Sequence, residues 1–299
     1  MTRIIVDTDI GDDVDDVLAL TFALLCPHLD IKAITTVTPW ADKRSKIVKH
    51  CLKLIGKTDI PVGSGIELPM RGLSDEELAK MTTEKRLNQY AAIPREERER
   101  EEERVNAAEL IIQMVERYPQ DISIAAIGPL SNIALALRLR PSIASKIRSI
   151  ALMGGEVQVH RQEHNITWDP EAAEVVLTSG IPLFFGTWSV TRQLILSPED
   201  CRIIENGNAE LGAFLGDCIK RWWPSKGSKP GPVMYDLAPL AWCFDRSYFE
   251  TRPMHLRVET SGKLTRGMTI ASDQTPNAEV TTGMKSEALH QLFMETVSD

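Results

Sequence analysis

The chain has 299 residues, 43% hydrophobic and 25% charged, with a formal net charge of -8 at pH 7. That length can bury a full core and that composition is ordinary for a globular protein, which excludes a low-complexity or disordered chain. Net negative charge argues against a nucleic-acid partner, and the apolar run VLALTFALLC near the start is too short to span a bilayer, so no membrane partner is expected.

In chain order, RIIV reads as a strand and DVLALTFALL as a helix, then IKAITTV as a strand and KRSKIVKHCLKLIG as a helix. Residues 70–104, with PREERERE and EEER, have few apolar positions and read as a charged, solvated helical insertion in one domain spanning 1–299. ISIAAIG leads into SNIALALRL, SIALMGG precedes the helical PEAAEVVLTSG, and IPLFFGT returns as a strand. RWWPSKGSKPGP at 221–232 has loop composition, and its adjacent tryptophans either cap a flat ligand or tuck into the core. MYDLAPLAWCF reads as a helix, HLRVETSGKLTRGMTIA as a hairpin and EALHQLFMETV as a closing helix.

Ile/Val-rich strands alternating with helices predict a single α/β domain with a mostly parallel central sheet flanked by helices. Ligands of such sheets bind outside the carboxyl ends of the strands. That rule sets Asp7–Asp16, Gly128–Asn132 and Met153–Gly155 on one rim. The five cysteines are scattered without a C-x-x-C pair, and no basic n-region precedes the first apolar run. A cytoplasmic protein with free thiols is the expectation.

The chemistry concentrates in RIIVDTDIGDDVDDVLAL, where six aspartates fall between Asp7 and Asp16. Carboxylates so crowded raise one another's pKa unless a cation, hydrogen-bond donors or bulk water relieves them. An EF-hand loop fails, because counting from Asp7 the glycine is one position early and the twelfth residue is Leu18. DDVDD fits the DDxxD pattern of isoprenyl-diphosphate enzymes, but those are all-helical and this loop follows a strand. DTDIG resembles the DxDx[TV] loop of haloacid-dehalogenase-type phosphatases, yet Gly11 stands at its fifth position and the four acids that follow fit no such loop.

DTDIGDDVDDVLAL also resembles the aspartate signature DTDPGxDDAxAL of the nucleoside hydrolases, with Ile10 for proline and two extra residues before the DD pair. The likeness continues in order through ITTV (34–37), IGPLSNIALAL (127–137), ALMGG (151–155), EHNITWDPEAA (163–173), Asp236 in MYDLAPLA and the hairpin VETSGKLTRGMT (258–269). It implies the Rossmann-like nucleoside hydrolase fold, hydrolysis of the N-glycosidic bond of a ribonucleoside or related N-ribosyl compound, and a homodimer or homotetramer. It further implies a Ca²⁺ ion held by Asp9, Asp15, Asp16, Asp236 and the Ser131 carbonyl, lowering the pKa of its water and orienting the ribose diol. Asp9 is then the general base of an oxocarbenium-like transition state, and Asp15, Glu163 and Asn165 are the ribose contacts.

The resemblance leaves Asp12 and Asp13 open: Asp13 joins the metal site, or both serve as acids at a helix N-terminus. The base side departs from the family. Trp40 stands where the family's VxGN loop has asparagine, His164 replaces phenylalanine in EFN, and Tyr235 replaces the histidine of HDxLA. The family's asparagine touches the sugar, so Trp40 is a candidate substrate contact; Tyr235, His160 and His164 are candidate base contacts, and Trp40, Trp168, Trp188, Trp222 and Trp223 are possible stacking partners. Asp169-Pro170-Glu171 reads as a helix start. Two other functions are weighed: a metal- and ribose-binding protein without turnover, favoured only by the missing Asn and His, and a metal-dependent phosphatase, for which no later Lys and acidic pair is in order.

Overall fold

TRIIVDT forms β1 (Thr2–Thr8), and its Ile4, Ile5 and Val6 are fully buried because helices cover both faces of the sheet. The pleat divides them: Ile4 and Val6 join one core cluster and Ile5 the other. The computed structural model describes residues 1–74, 87–101, 103–223 and 230–298. The remaining strands are β2 (Leu29–Thr36), β3 (Val62–Ser64), β4 (Ile122–Ala126), β5 (Ser149–Met153), β6 (Leu183–Gly186), β7 (Phe249–Val258), β8 (Thr269–Ser272) and β9 (Ala278–Met284).

They form one nine-stranded sheet in the order β3-β2-β1-β4-β5-β6-β9-β7-β8. Every neighbouring pair from β3 to β9 is parallel, while β7 pairs antiparallel with both β9 and β8. The expected hairpin is thus β7–β8, in register from His255 opposite Ser272 to Val258 opposite Thr269. Strand order reverses between β1 and β4, so the loops leaving those two strands diverge to opposite faces and open a crevice at their carboxyl ends. The acid-rich loop leaves β1 there and the IGPLSN loop leaves β4.

α1 (Asp15–Leu25) is buried along almost its whole length, and Phe22 meets Phe244 and Phe293 with centroids 6.4 and 6.2 Å away. α2 (Ala41–Ile55) is amphipathic and ends at Gly56, whose left-handed φ of 75° lets its amide cap the Leu52 and Lys53 carbonyls. Trp222 is buried and Trp223 meets it edge-on at 5.7 Å, so the tryptophan pair tucks inward. The rest of that loop, 224–229, lies outside the described residues.

Of the charged stretch 70–104, residues 75–86 and 102 also lie outside them. The described part is a 3-10 turn, Asn88–Ala92, with Leu87, Gln89 and Ile93 buried, followed by a short helix, Arg95–Glu99. Glu97 docks that helix on α2, accepting from His50 Nδ1 at 2.6 Å and Lys53 Nζ at 2.5 Å. Burial pushes the Glu97 pKa up, but these donors overcome it and hold the carboxyl below its ordinary value. Its stabilisation is therefore present above the unfolded pKa of about 4.3 and lost as pH falls through the lower folded value. Glu97→Gln should cost about 1 kcal/mol in urea unfolding at pH 7, and the difference should disappear near pH 3; a gap that persists there refutes the ion pair as its source.

Candidate active site

The loop from β1 into α1 turns sharply at Gly11, whose φ of +132° disfavours any side chain; a Cβ would lie 2.5 Å from Leu87 Cδ1. The turn brings Asp15 and Asp16 to the first turn of α1, where the helix dipole favours acids. Thr8 fastens the loop from both sides: its hydroxyl donates to Asp16 Oδ1 at 2.6 Å and accepts from the Ile10 amide at 3.0 Å. Asp236 reaches the same point from the residue preceding the helix Leu237–Trp242.

Carboxylate oxygens of Asp15, Asp16 and Asp236 lie within 4.8 Å of one another, and all three residues are buried. Burial, reinforced by the neighbouring acids, pushes all three pKa values well above the ordinary range. None of the three is in an ion pair among the described residues. Three buried, mutually repelling oxygen donors fit a hard divalent cation.

Asp9 stands at the rim of this cluster, 13% exposed, with His164 Nε2 3.9 Å from its Oδ2. Burial raises its pKa, and His164 and Arg44 pull it back. Gly128 in the loop after β4 permits this placement, since a Cβ there would come within 2.8 Å of the Asp9 amide and 3.0 Å of its Oδ1. Ser131, at the start of the helix Ser131–Leu139, donates its hydroxyl to Asp169 Oδ2 at 2.6 Å. Asp169 is the expected N-cap, accepting from the Ala172 amide at 3.1 Å with Pro170 at the first helical position.

Glu163 caps the short helix His164–Trp168, accepting from the Asn165 and Ile166 amides at 2.9 and 3.1 Å and from Gly155 at 3.0 Å. Asn165 Nδ2 donates to the Met153 and Ile127 carbonyls at 3.1 and 3.3 Å, joining the ends of β4 and β5. Both are buried, with their side chains held by backbone partners. His164, by contrast, is 65% exposed. Trp40 caps α2 with a left-handed φ of 63°, and Thr38 beside it has φ 74°, so two non-glycine residues of this loop hold strained backbone. The Trp40 ring packs on the main core beneath Lys43. Tyr235 is half-buried; burial, then Asp15 and Asp13, raise its pKa, and its hydroxyl is hydrogen-bonded by Trp188.

Sequence reasoning missed three supports. Arg44, from α2, is 2% exposed; its guanidinium donates to the Asp9 carbonyl, to Ile10 O at 2.7 Å, to Pro39 O at 3.0 Å and to Asp12 Oδ2 at 3.2 Å. It is thus a fixed positive charge under the acid loop, and Asp12 turns to it. Gln89 donates to the Asp13 carbonyl at 2.6 Å. Asn132 donates to Asp7 Oδ1 at 2.8 Å and to Thr36 O at 3.0 Å, and accepts from the Ile66 amide at 2.9 Å. Asp7, pointing away from the triad, is pushed up to about 7 by burial, against the hydrogen bonds from Thr35 and Asn132. A signal for Arg44 was present: it lies three and four positions before Ile47 and Val48, on the apolar stripe of α2.

Comparison with known proteins bears on this arrangement. The sequence matches the family described as inosine-uridine preferring nucleoside hydrolase over residues 4–291. The pyrimidine-specific ribonucleoside hydrolase RihA of Citrobacter koseri is 32% identical, with 99% of this chain and 97% of that protein aligned. The protein of the same name from Escherichia coli O1:K1 is 34% identical over 93% and 92%. Among solved structures, the purine-preferring ribonucleoside hydrolase from Gardnerella vaginalis superposes with a TM-score of 0.87 at 27% identity, covering 99% and 98% of the two chains. A plant nucleoside hydrolase shares the fold with a TM-score of 0.83 at 24% identity, over 99% of each chain.

Proposed function

The chain belongs to the inosine-uridine preferring nucleoside hydrolase family and is a hydrolase of N-glycosyl compounds acting on ribonucleosides; from that premise we propose that it is calcium-dependent and uses Asp9 as the general base. The observation that carries the proposal is the buried triad Asp15, Asp16 and Asp236, with oxygens within 4.8 Å, beside an Asp9 open to the crevice. Asp9, Asp15, Asp16, Asp236 and the Ser131 carbonyl would hold the ion. When bound, calcium would offset the repulsion among these acids, lower the pKa of a water and orient the ribose diol.

The chain's own groups supply the rest. Asp9 takes a proton from the attacking water as its oxygen bonds to the anomeric carbon, and the glycosidic electron pair leaves with the base. A carboxylate with a raised pKa suits that exchange, because its affinity for the proton approaches what the reaction must give up. Glu163 and Asn165, immobilised by backbone partners, form the polar floor for the sugar. A buried polar floor of this kind rejects a sugar that lacks the matching hydroxyl, so ribosides are favoured over 2′-deoxyribosides. Tyr235, held protonated by its raised pKa and already accepting from Trp188, keeps its own proton for the leaving base. His164, exposed at the crevice 3.9 Å from Asp9, is a further contact for the base. Pyrimidine ribosides are the first substrates to test, since the relatives at 32–34% identity carry a pyrimidine-specific name.

The test is a product assay on purine and pyrimidine ribosides with their 2′-deoxy counterparts, reading free base and reducing sugar. Chelation should abolish release and added calcium restore it, with 2′-deoxyribosides at least about 10²-fold poorer. Full activity in metal-free protein would exclude the proposed mechanism.

A further inference from the structure

Trp188 lies beside the crevice, and so far only its hydrogen bond to Tyr235 has entered the chemistry. Its amide donates to Gly155 O at 3.1 Å, Gly155 in turn donates to Glu163, and its side chain is bonded to Tyr235. The buried Glu156 carboxylate accepts from the amides of Val157, Gln158 and Ser189 at 2.8, 2.6 and 2.7 Å, fastening the loop 156–162 to the turn that carries Trp188. Two arginines meet on the Trp188 ring: Arg161 from that loop, with its guanidinium carbon 3.9 Å from the ring centroid, and Arg192, at 4.3 Å. Both are exposed, and neither is in an ion pair among the described residues.

Two like charges on one ring repel, and a cation–π contact at an exposed site is worth only about 0.5–1 kcal/mol. The fold does not need the pair. Two exposed guanidinium groups held on one ring offer planar forks to a ligand in the crevice, and forks of this kind match a carboxylate. Tyr235 faces the leaving base in the proposed reaction, and Trp188, hydrogen-bonded to it, carries the two arginines next to that side. Building on the ribohydrolase reading, we infer that Arg161 and Arg192 are specificity determinants that select ribosides whose base carries an anionic oxygen substituent, such as a carboxylate. The same cations face the negative charge that develops on the departing base.

The experiment compares kcat/KM for uridine, 5-carboxyuridine and uridine 5′-monophosphate in the parent protein, in the double variant Arg161→Gln/Arg192→Gln and in Arg161→Lys/Arg192→Lys. The parent should prefer 5-carboxyuridine to uridine at least tenfold. That ratio should fall at least tenfold in the Gln variant and less in the Lys variant, and the 5′-phosphate should bring no gain. A parental ratio near one, or a ratio unchanged in the Gln variant, overturns the inference. Preference for the 5′-phosphate alone would move the anion to the sugar side and overturn it equally. Failure to split any riboside counts against the hydrolase reading instead; titration calorimetry with uracil-5-carboxylate and uracil then decides the anion site, equal binding in parent and Gln variant refuting it.

Discussion

Replacing Asp9 by asparagine should lower kcat by about 10³-fold or more while the thermal midpoint stays within about 2 °C of the parent. A positioned general base contributes roughly 10²–10⁴-fold, and Asp9 is also an expected ligand of the cation, so the upper part of that range applies. The fold should survive because Asp9 lies at the crevice rim, 13% exposed, and its backbone carbonyl, which Arg44 holds, remains in the variant. Calcium titration separates the two roles. Binding retained with turnover lost identifies the proton acceptor; binding lost together with turnover assigns Asp9 to the cation alone. An unchanged kcat would sink both assignments.

Arg44→Met should cost about 3–5 kcal/mol, lowering the thermal midpoint by about 5–8 °C, because a buried charge partner is removed and its acceptors are stranded. Three carbonyls, of Asp9, Ile10 and Pro39, lose their donor at once, and Asp12 loses its cation. Methionine fills the apolar volume of the stem but donates nothing. Activity should fall with stability, since the loop holding Asp9 is no longer anchored to α2. Arg44→Lys should recover part of the loss at most: an ammonium keeps the charge without the planar fork that reaches several acceptors. A midpoint within 1 °C of the parent in the Met variant would show that water replaces the guanidinium.

The acid loop illustrates how much was readable beforehand. Six aspartates in ten positions demand relief of their repulsion, and the likeness of DTDIGDDVDDVLAL to a family signature indicated how. Asp15, Asp16 and Asp236 do converge, although Asp236 is 220 residues from Asp16, because β1 ends and the helix after Asp236 begins at the same rim. The relief at Asp12 comes from Arg44, which no motif marks. In KRSKIVKH each cation resembles a member of a solvated helix face, and only the helical phase separates Arg44, which faces inward, from Lys43 beside it. The charged stretch after residue 70 hides its buried positions for a related reason: Leu87, Gln89 and Ile93 are too sparse to register as a pattern, yet all three are buried, and Leu87 and Gln89 meet Gly11 and Asp13.

By itself the sequence determined the alternation of buried strands and helices, the rim on which the chemistry collects, the helix start at Asp169 and the family, because these depend on local period, turn chemistry and ordered motifs. Only the tertiary structure decided which aspartates converge, which one an arginine neutralises, and that Trp188 gathers two guanidinium groups beside Tyr235. Such contacts join residues tens to hundreds of positions apart, and whether a charge there is solvated or buried depends on how the packed elements close around it, which no local pattern encodes.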